Sequence, residues 1–218
     1  MRPQPFSRSS PRWIATLAAI AVPALLGGAS AVVASASGAA TSAGAPGGAG
    51  VAASALAYST AGADVVQRQP APGSCHARGG GLDSLPDSRC TPGALNPAVT
   101  QARIGVTICR SGWTSTVRPP ASITAREKAA SMSAYGHGAH AAGFEYDHLV
   151  SLELGGAVND PRNLWPEPDY AVRSGFYLNP KDRLERTLNG LVCSGRMTLA
   201  GAQRAIAGNW VAAYTRYG

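Results

Sequence analysis

The chain is poor in charge, in aromatic residues and above all in lysine. Of its 218 residues, 14% are charged and 6% are aromatic, and Arg outnumbers Lys by 17 to 2. So few aromatic rings argue against a nucleic-acid module that works by base stacking. The composition also excludes collagen, a coiled coil and an acidic disordered tail. The Arg excess, with abundant Ala and Gly, is typical of a GC-rich genome.

The first 36 residues have the pattern of a secretory signal peptide. Residues 1–12 carry three Arg and no acid, residues 13–26 are almost wholly apolar, and two A-x-A sites follow, the second ending at Ala36. A basic start, a short apolar run and small residues are typical of a Sec-type signal. An uncleaved anchor is the alternative, but Pro23 interrupts the apolar run. We therefore expect a secreted protein, without an integral membrane domain after cleavage.

Removal of this leader changes the charge balance. It takes away three Arg and no acid, which lowers the net charge from +7 to +4. Residues 37–81 are then mostly Ala, Gly, Ser, Thr and Pro, a composition that cannot bury enough apolar surface to offset its ordering entropy. We expect a flexible linker over 37–81 and one folded domain over 82–218.

The four cysteines are an even set in a chain predicted to be exported, so disulfides are the expected state. They are Cys75, Cys90, Cys109 and Cys193. No pair has Cys-x-x-Cys spacing, which argues against a zinc knuckle. Three connectivities are possible, of which we favour a local Cys75–Cys90 bridge and a long-range Cys109–Cys193 bridge.

Helix signals dominate the folded part. Thr124 to Glu127 reads as a capping box that opens a helix through about Tyr135. Asn179 followed by Pro180 predicts the start of a second helix. Apolar residues then recur at helical spacing, both after Pro180 and over a last helix from about 199 to 214. The apolar positions of these two helices are Leu184, Leu188, Leu191 and Val192, then Leu199, Ala202, Ile206, Trp210 and Ala213.

Two strand-like pieces, 145–150 and 163–165, flank a Gly-rich loop, so the predicted class is α+β with little sheet. Asp147 and His148 end the first piece; a carboxylate beside a histidine supplies a ligand for a hard cation and a near-neutral base. Neighbours in a regular strand point to opposite faces. The two serve one site only if the strand bends, which Gly155 and Gly156 allow.

This region resembles the HNH endonucleases. The resemblance is carried by Asp147-His148, by Gly155-Gly156 and by Asn163-Leu164, in the order of a first strand, an Ω-like loop and a second strand. The wider chain, over about residues 88–217, resembles small exported bacterial proteins of HNH type. The resemblance implies a small ββα-metal motif inside a mostly helical, disulfide-stapled domain.

The resemblance also implies metal-dependent hydrolysis of phosphodiester bonds with low sequence specificity. His148 is then the general base, Asn163 orients it, and Asp147 holds a divalent cation, with Mg²⁺ favoured and Mn²⁺ possible. Nucleic acid is the expected substrate, with DNA favoured over RNA. Further candidates are Glu167 as a second metal ligand and Arg162, Lys181 and Arg183 as phosphate contacts. Arg110 and Arg118 are candidates for contact with the phosphate backbone on charge alone.

One departure from the family leaves a second function open. HNH enzymes carry a third ligand on the helix after the second strand, and no His follows His148 in this chain. Glu167, Asp169 or Asn179 are possible substitutes. The alternative is a non-catalytic exported domain of HNH-like fold that binds a polyanion or a partner in the cell envelope.

Overall fold

The computed structural model describes residues 56–138, 140–169 and 179–218. The predicted signal peptide and the first part of the predicted linker lie outside these residues. The described residues form a mixed α+β domain with four short 3-10 turns. In chain order its elements are α1 (Trp113–Val117), α2 (Ala121–Ala134), β1 (Phe144–His148), β2 (Leu164–Pro168), α3 (Pro180–Cys193) and α4 (Leu199–Tyr217).

The sheet is a single antiparallel pair, β1 and β2, within the described residues. Phe144 pairs with Pro168 and His148 with Leu164, so the register is continuous over five residues. Both strands were predicted from sequence, with β1 ending two residues earlier and β2 running three residues further. The loop between them turns at Gly155, whose φ of 73° lies in the left-handed region that glycine adopts without cost.

Helix α3 begins as its sequence predicts. Asn179 is the N-cap. Its side-chain oxygen accepts from the Asp182 amide, and the Asp182 carboxylate accepts from the Asn179 amide. This reciprocal capping box and Pro180 in the first turn fix the direction in which the helix leaves the preceding chain. Three apolar residues on one face, Leu184, Leu188 and Val192, are fully buried.

The core forms where α3 packs against α4. All five predicted apolar positions of α4 are buried, among them Trp210, whose indole N–H donates to the Ser84 carbonyl at 2.9 Å. A buried aromatic with its one polar atom satisfied adds apolar area without leaving an unpaired donor. Trp165 of β2 joins the same core. The two strongest helical patterns in the sequence therefore build the platform that carries the hairpin.

The predicted capping box of α2 is wrong. The helix begins at Ala121, three residues before Thr124, with Pro120 as a cap that offers no side-chain bond. Pro120 already has the extended backbone that a helix cap requires. Glu127 is buried and accepts the Gln67 amide at 2.6 Å instead of closing a box with Thr124.

Residues 56–81 differ from the flexible linker that their composition predicted. The Ser59 hydroxyl donates to Asp160 at 2.6 Å, and the Asn159 side chain donates to the carbonyls of Gly62 and Val65. The Cys75 amide donates to Ala134. Main-chain groups and small polar side chains make these contacts, so the low apolar content of residues 56–81 did not predict them. We call residues 56–75 the strap.

Both favoured disulfides are confirmed. Cys75 is bonded to Cys90, and Cys109 is bonded to Cys193 at the end of α3. The second bridge ties the segment before α1 to the core helices. No helix among the described residues is both long enough and apolar enough to cross a bilayer.

The two bridges close loops of very different length, with 84 and 15 residues separating their cysteines. A longer loop gives the unfolded chain more entropy to lose. We expect the Cys109→Ala/Cys193→Ala variant to lose about 4.5 kcal/mol of unfolding free energy and the Cys75→Ala/Cys90→Ala variant about 3 kcal/mol. Equilibrium unfolding in guanidinium chloride measures both. A larger loss for the short loop would contradict this account.

Candidate functional site

The hairpin sends its polar residues to two different sides. Within β1, Tyr146 and His148 face one cavity together with Leu164 of β2. Asp147, between them, points the other way and pairs with Lys181 of α3. Strand alternation therefore holds to the end of β1. The bend that would bring Asp147 and His148 into one site does not occur.

The His148 cavity has a volume of about 390 Å³. Its floor is the β1–β2 surface, and its wall is the start of α2 with the residues before it. Arg118 and Lys128 contribute the two cationic side chains of the lining. Arg118 is exposed, whereas the Lys128 ammonium donates to the carbonyls of Ala141 and Phe144.

His148 is held in a defined orientation. Its side chain is buried, and Nε2 lies 3.1 Å from the carbonyl oxygen of Val158. A carbonyl oxygen can only accept, so Nε2 carries the hydrogen and the neutral ring keeps its lone pair on Nδ1. Burial lowers the pKa of His148 below its ordinary value, and the nearby charge of Arg118 acts in the same direction. At neutral pH His148 is therefore an unprotonated base.

Asn163 was predicted to orient His148, and the structure gives it other partners. Its oxygen accepts the Val150 amide, and its nitrogen donates to the carbonyls of Val150 and Ala157. Asn163 thus clamps both ends of the loop that follows His148. A Cβ at Gly156 would collide with the Val150 carbonyl and the Asn163 amide, which explains the second glycine of the pair.

On the opposite side, a buried cluster surrounds Lys181. The Lys181 side chain has 0% exposure, and its ammonium donates to Asp147 and, at 2.6 Å, to Glu185 one turn along α3. Glu167 of β2 lies 3.2 Å from the same ammonium. Lys181 was predicted as a surface contact for phosphate, and that prediction is wrong because no phosphate reaches a fully buried side chain.

The cluster holds more carboxyl groups than one ammonium neutralises. Burial raises the pKa of Asp147, but Lys181 outweighs it, so the net shift is downward and Asp147 is ionised. Burial raises the pKa of Glu185 and Glu145 to about 8, and it raises that of Glu167 well above its ordinary value. The cluster therefore contains the Asp147–Lys181 ion pair, and burial shifts its three glutamates toward the protonated form.

The predicted metal ligands, Asp147 and Glu167, do come together, but they do not fit a divalent ion. The Lys181 ammonium contacts both carboxylates and Glu185 as well. A cation placed between the carboxylates would meet this ammonium at close range, where like charges in a poorly solvated site repel strongly. The described residues contain no group of three or more acidic, His or Cys side chains arranged to hold a metal.

The remaining predicted phosphate contacts are Arg162 and Arg183, which lie apart from the cavity lining. Arg162 forms a two-pronged ion pair with Asp160, with nitrogen–oxygen distances of 2.6 and 3.0 Å. Arg183 is exposed on α3. Sequence reasoning gave Arg118 only as a candidate on charge, and it missed the Val158 carbonyl, because a backbone acceptor leaves no mark in the sequence.

Comparison with known proteins adds no assignment. No protein-family model matches the chain, and the searches of curated proteins and of solved structures found no match.

The raised pKa values of Glu145 and Glu185 make stability depend on pH. Both ionise near pH 4.5 in the unfolded chain and near pH 8 in the folded protein. The folded state binds more protons in between, so this stabilisation is complete below pH 4.5 and lost as pH rises through 8. We expect the free energy of unfolding in urea to fall on the order of 4 kcal/mol from pH 6.5 to 8.5, half of it from each glutamate.

The matched controls are amide variants. Glu145→Gln and Glu185→Gln remove a titrating carboxyl group and flatten the pH dependence, whereas Asp64→Asn, at an exposed position, leaves it unchanged. A wild-type stability that stays constant over this range would show that the two glutamates ionise freely in the folded state.

Proposed function

We propose that the protein hydrolyses phosphodiester bonds in nucleic acid, with His148 as the general base. The observation that carries the proposal is the Val158 carbonyl at Nε2, which leaves the lone pair on Nδ1 of a histidine that lines a cavity together with Arg118. A base that is neutral at physiological pH, oriented and beside a cationic group is suited to proton transfer next to a phosphate.

The chemistry follows from the cavity lining. Nδ1 of His148 takes a proton from a water whose oxygen bonds to phosphorus. The bond from phosphorus to the leaving sugar oxygen breaks, and that oxygen takes a proton from solvent. Arg118, which lines the cavity, faces the negative charge of the phosphate. The cavity volume of about 390 Å³ suits a phosphate group with part of its nucleoside.

Three further features support this reading. The chain order of β1, β2 and α3 is compatible with the ββα arrangement that the HNH resemblance implies. Two disulfides favour an oxidising compartment, in line with the proposed export by a Sec-type signal. The net charge of +4 after signal cleavage is compatible with a polyanionic substrate.

A second candidate function is the non-catalytic domain that binds a polyanion or a partner in the cell envelope. Lys181 favours it, because its ammonium lies where the resemblance would place a catalytic cation. The two candidates differ in one measurement. A binding domain retains a labelled duplex in a salt-sensitive way without cutting it, and His148→Ala leaves its affinity unchanged.

The proposal is tested by nicking of supercoiled plasmid and by cleavage of labelled RNA. We expect His148→Ala to lower the rate by about 10²–10⁴-fold, because it removes the general base. Arg118→Ala raises KM and makes cleavage less sensitive to salt, because it removes a phosphate contact. Arg126→Ala is the matched control, since Arg126 is an exposed arginine of α2 outside the cavity lining.

Two outcomes oppose the catalytic role. If wild-type protein cuts neither substrate, the chain is not a nuclease. If His148→Ala cuts as fast as wild type, the base lies elsewhere.

The pH profile of cleavage gives an independent check. Burial lowers the pKa of His148 below 6.5, so the imidazole stays unprotonated at neutral pH. We expect the rate to be level around pH 7 and to fall on acidification with a single-proton midpoint below 6.5. A midpoint above 6.5 would show that His148 is not the titrating base. We expect the pH profile of Arg118→Ala to have a higher midpoint, because loss of this positive charge raises the pKa of His148.

A further inference from the structure

The cluster around Lys181 has the residues of a cation site and already contains a cation. Asp147 comes from the end of β1, Glu167 from β2 and Glu185 from α3, so three separate elements direct carboxylates at one point. Carboxylate oxygens are the ligands that hard divalent ions take, although the described residues as they stand form no metal site. In this chain the ammonium of Lys181 lies at the point of convergence.

The fit of the ammonium is specific. An ammonium group has three N–H donors; it donates to Asp147 and Glu185, and a Glu167 oxygen lies 3.2 Å from Nζ. The capping box at Asn179 sets the first turn of α3, so Lys181 leaves the helix in a fixed direction. Its side chain is fully buried, which leaves no path for the ammonium to withdraw into solvent while the helix stays in place.

We propose that Lys181 is a built-in replacement for a divalent cation, and that the wild-type protein therefore binds no divalent ion at Asp147, Glu167 and Glu185. Shortening Lys181 converts the same carboxylates into a divalent-cation site. The binding part of this proposal stands alone. One consequence rests on the proposed function, namely that cleavage by this chain needs no divalent ion.

The binding part is tested with Mn²⁺ by electron paramagnetic resonance on the full chain. We expect no saturable binding to wild type and one site in Lys181→Ala, at least tenfold tighter than any site in Lys181→Ala/Asp147→Asn. Lys128→Ala is the matched control, because Lys128 is the other lysine of the chain and bonds to carbonyls only. Mn²⁺ should raise the melting temperature of Lys181→Ala alone.

The wild-type measurement decides the matter even if Lys181→Ala does not fold. Saturable Mn²⁺ binding to wild type that Asp147→Asn abolishes overturns the proposal, and its absence supports it. A folded Lys181→Ala that binds no Mn²⁺ also overturns it, because the carboxylates would then not form a site.

Cleavage assays separate this inference from the proposed function. Cleavage by wild type that depends on His148 and persists in EDTA supports both. Cleavage that depends on His148, stops in EDTA and returns with Mg²⁺ overturns the role of Lys181 and leaves the proposed function in place. With no cleavage under any condition the proposed function fails, while the Mn²⁺ measurement still decides the inference.

Discussion

The buried ammonium of Lys181 is the interaction on which the arrangement of the hairpin depends. It joins the end of β1, the body of β2 and the first turn of α3 through Asp147, Glu167 and Glu185. A buried charge is costly unless its partners surround it, and loss of a single partner leaves an uncompensated charge in the interior. The cluster therefore fixes the position of the sheet relative to α3, because all the carboxyl groups must stay close to the ammonium. Apolar contact alone would not impose this.

The two faces of the small sheet therefore have different roles, one in stability and one at the cavity. The face with Asp147 is closed and joined to the core helices, while the face with His148 is open to a cavity. Asn163 and Gly156 keep the intervening loop in one shape, so that the Val158 carbonyl stays at the imidazole. His148 is thus oriented by a main-chain carbonyl, whereas the neighbouring Asp147 stabilises the fold through Lys181.

The sequence predicted well what depends on periodicity. The apolar faces of α3 and α4 and the cap at Asn179 follow from the sequence pattern, and the structure has each of them. The two disulfides were the favoured one of three possible connectivities, and the structure has both. Lys181 could not be predicted in this way. A lysine at the start of a helix usually faces solvent, and its burial comes from Asp147, 34 residues earlier in the chain.

The placement of His148 and of the strap shows the same limit. The sequence identifies His148 as a candidate base, but the group that orients it is the carbonyl of Val158, which any residue at that position would supply. The composition of residues 37–81 predicts a linker. It gives no sign of the contacts of the strap, because main-chain bonds such as that of Gln67 to Glu127 need no apolar residue. In both cases, backbone groups make contacts that the identity of their residues does not reveal.

The strap has a mechanical consequence. The Asn159 side chain is tied to the carbonyls of Gly62 and Val65, and Asn159 directly follows Val158, whose carbonyl orients the imidazole. Asn159 thus connects the strap to the corner that supports His148, and the imidazole is braced by residues that lie far before it in the chain.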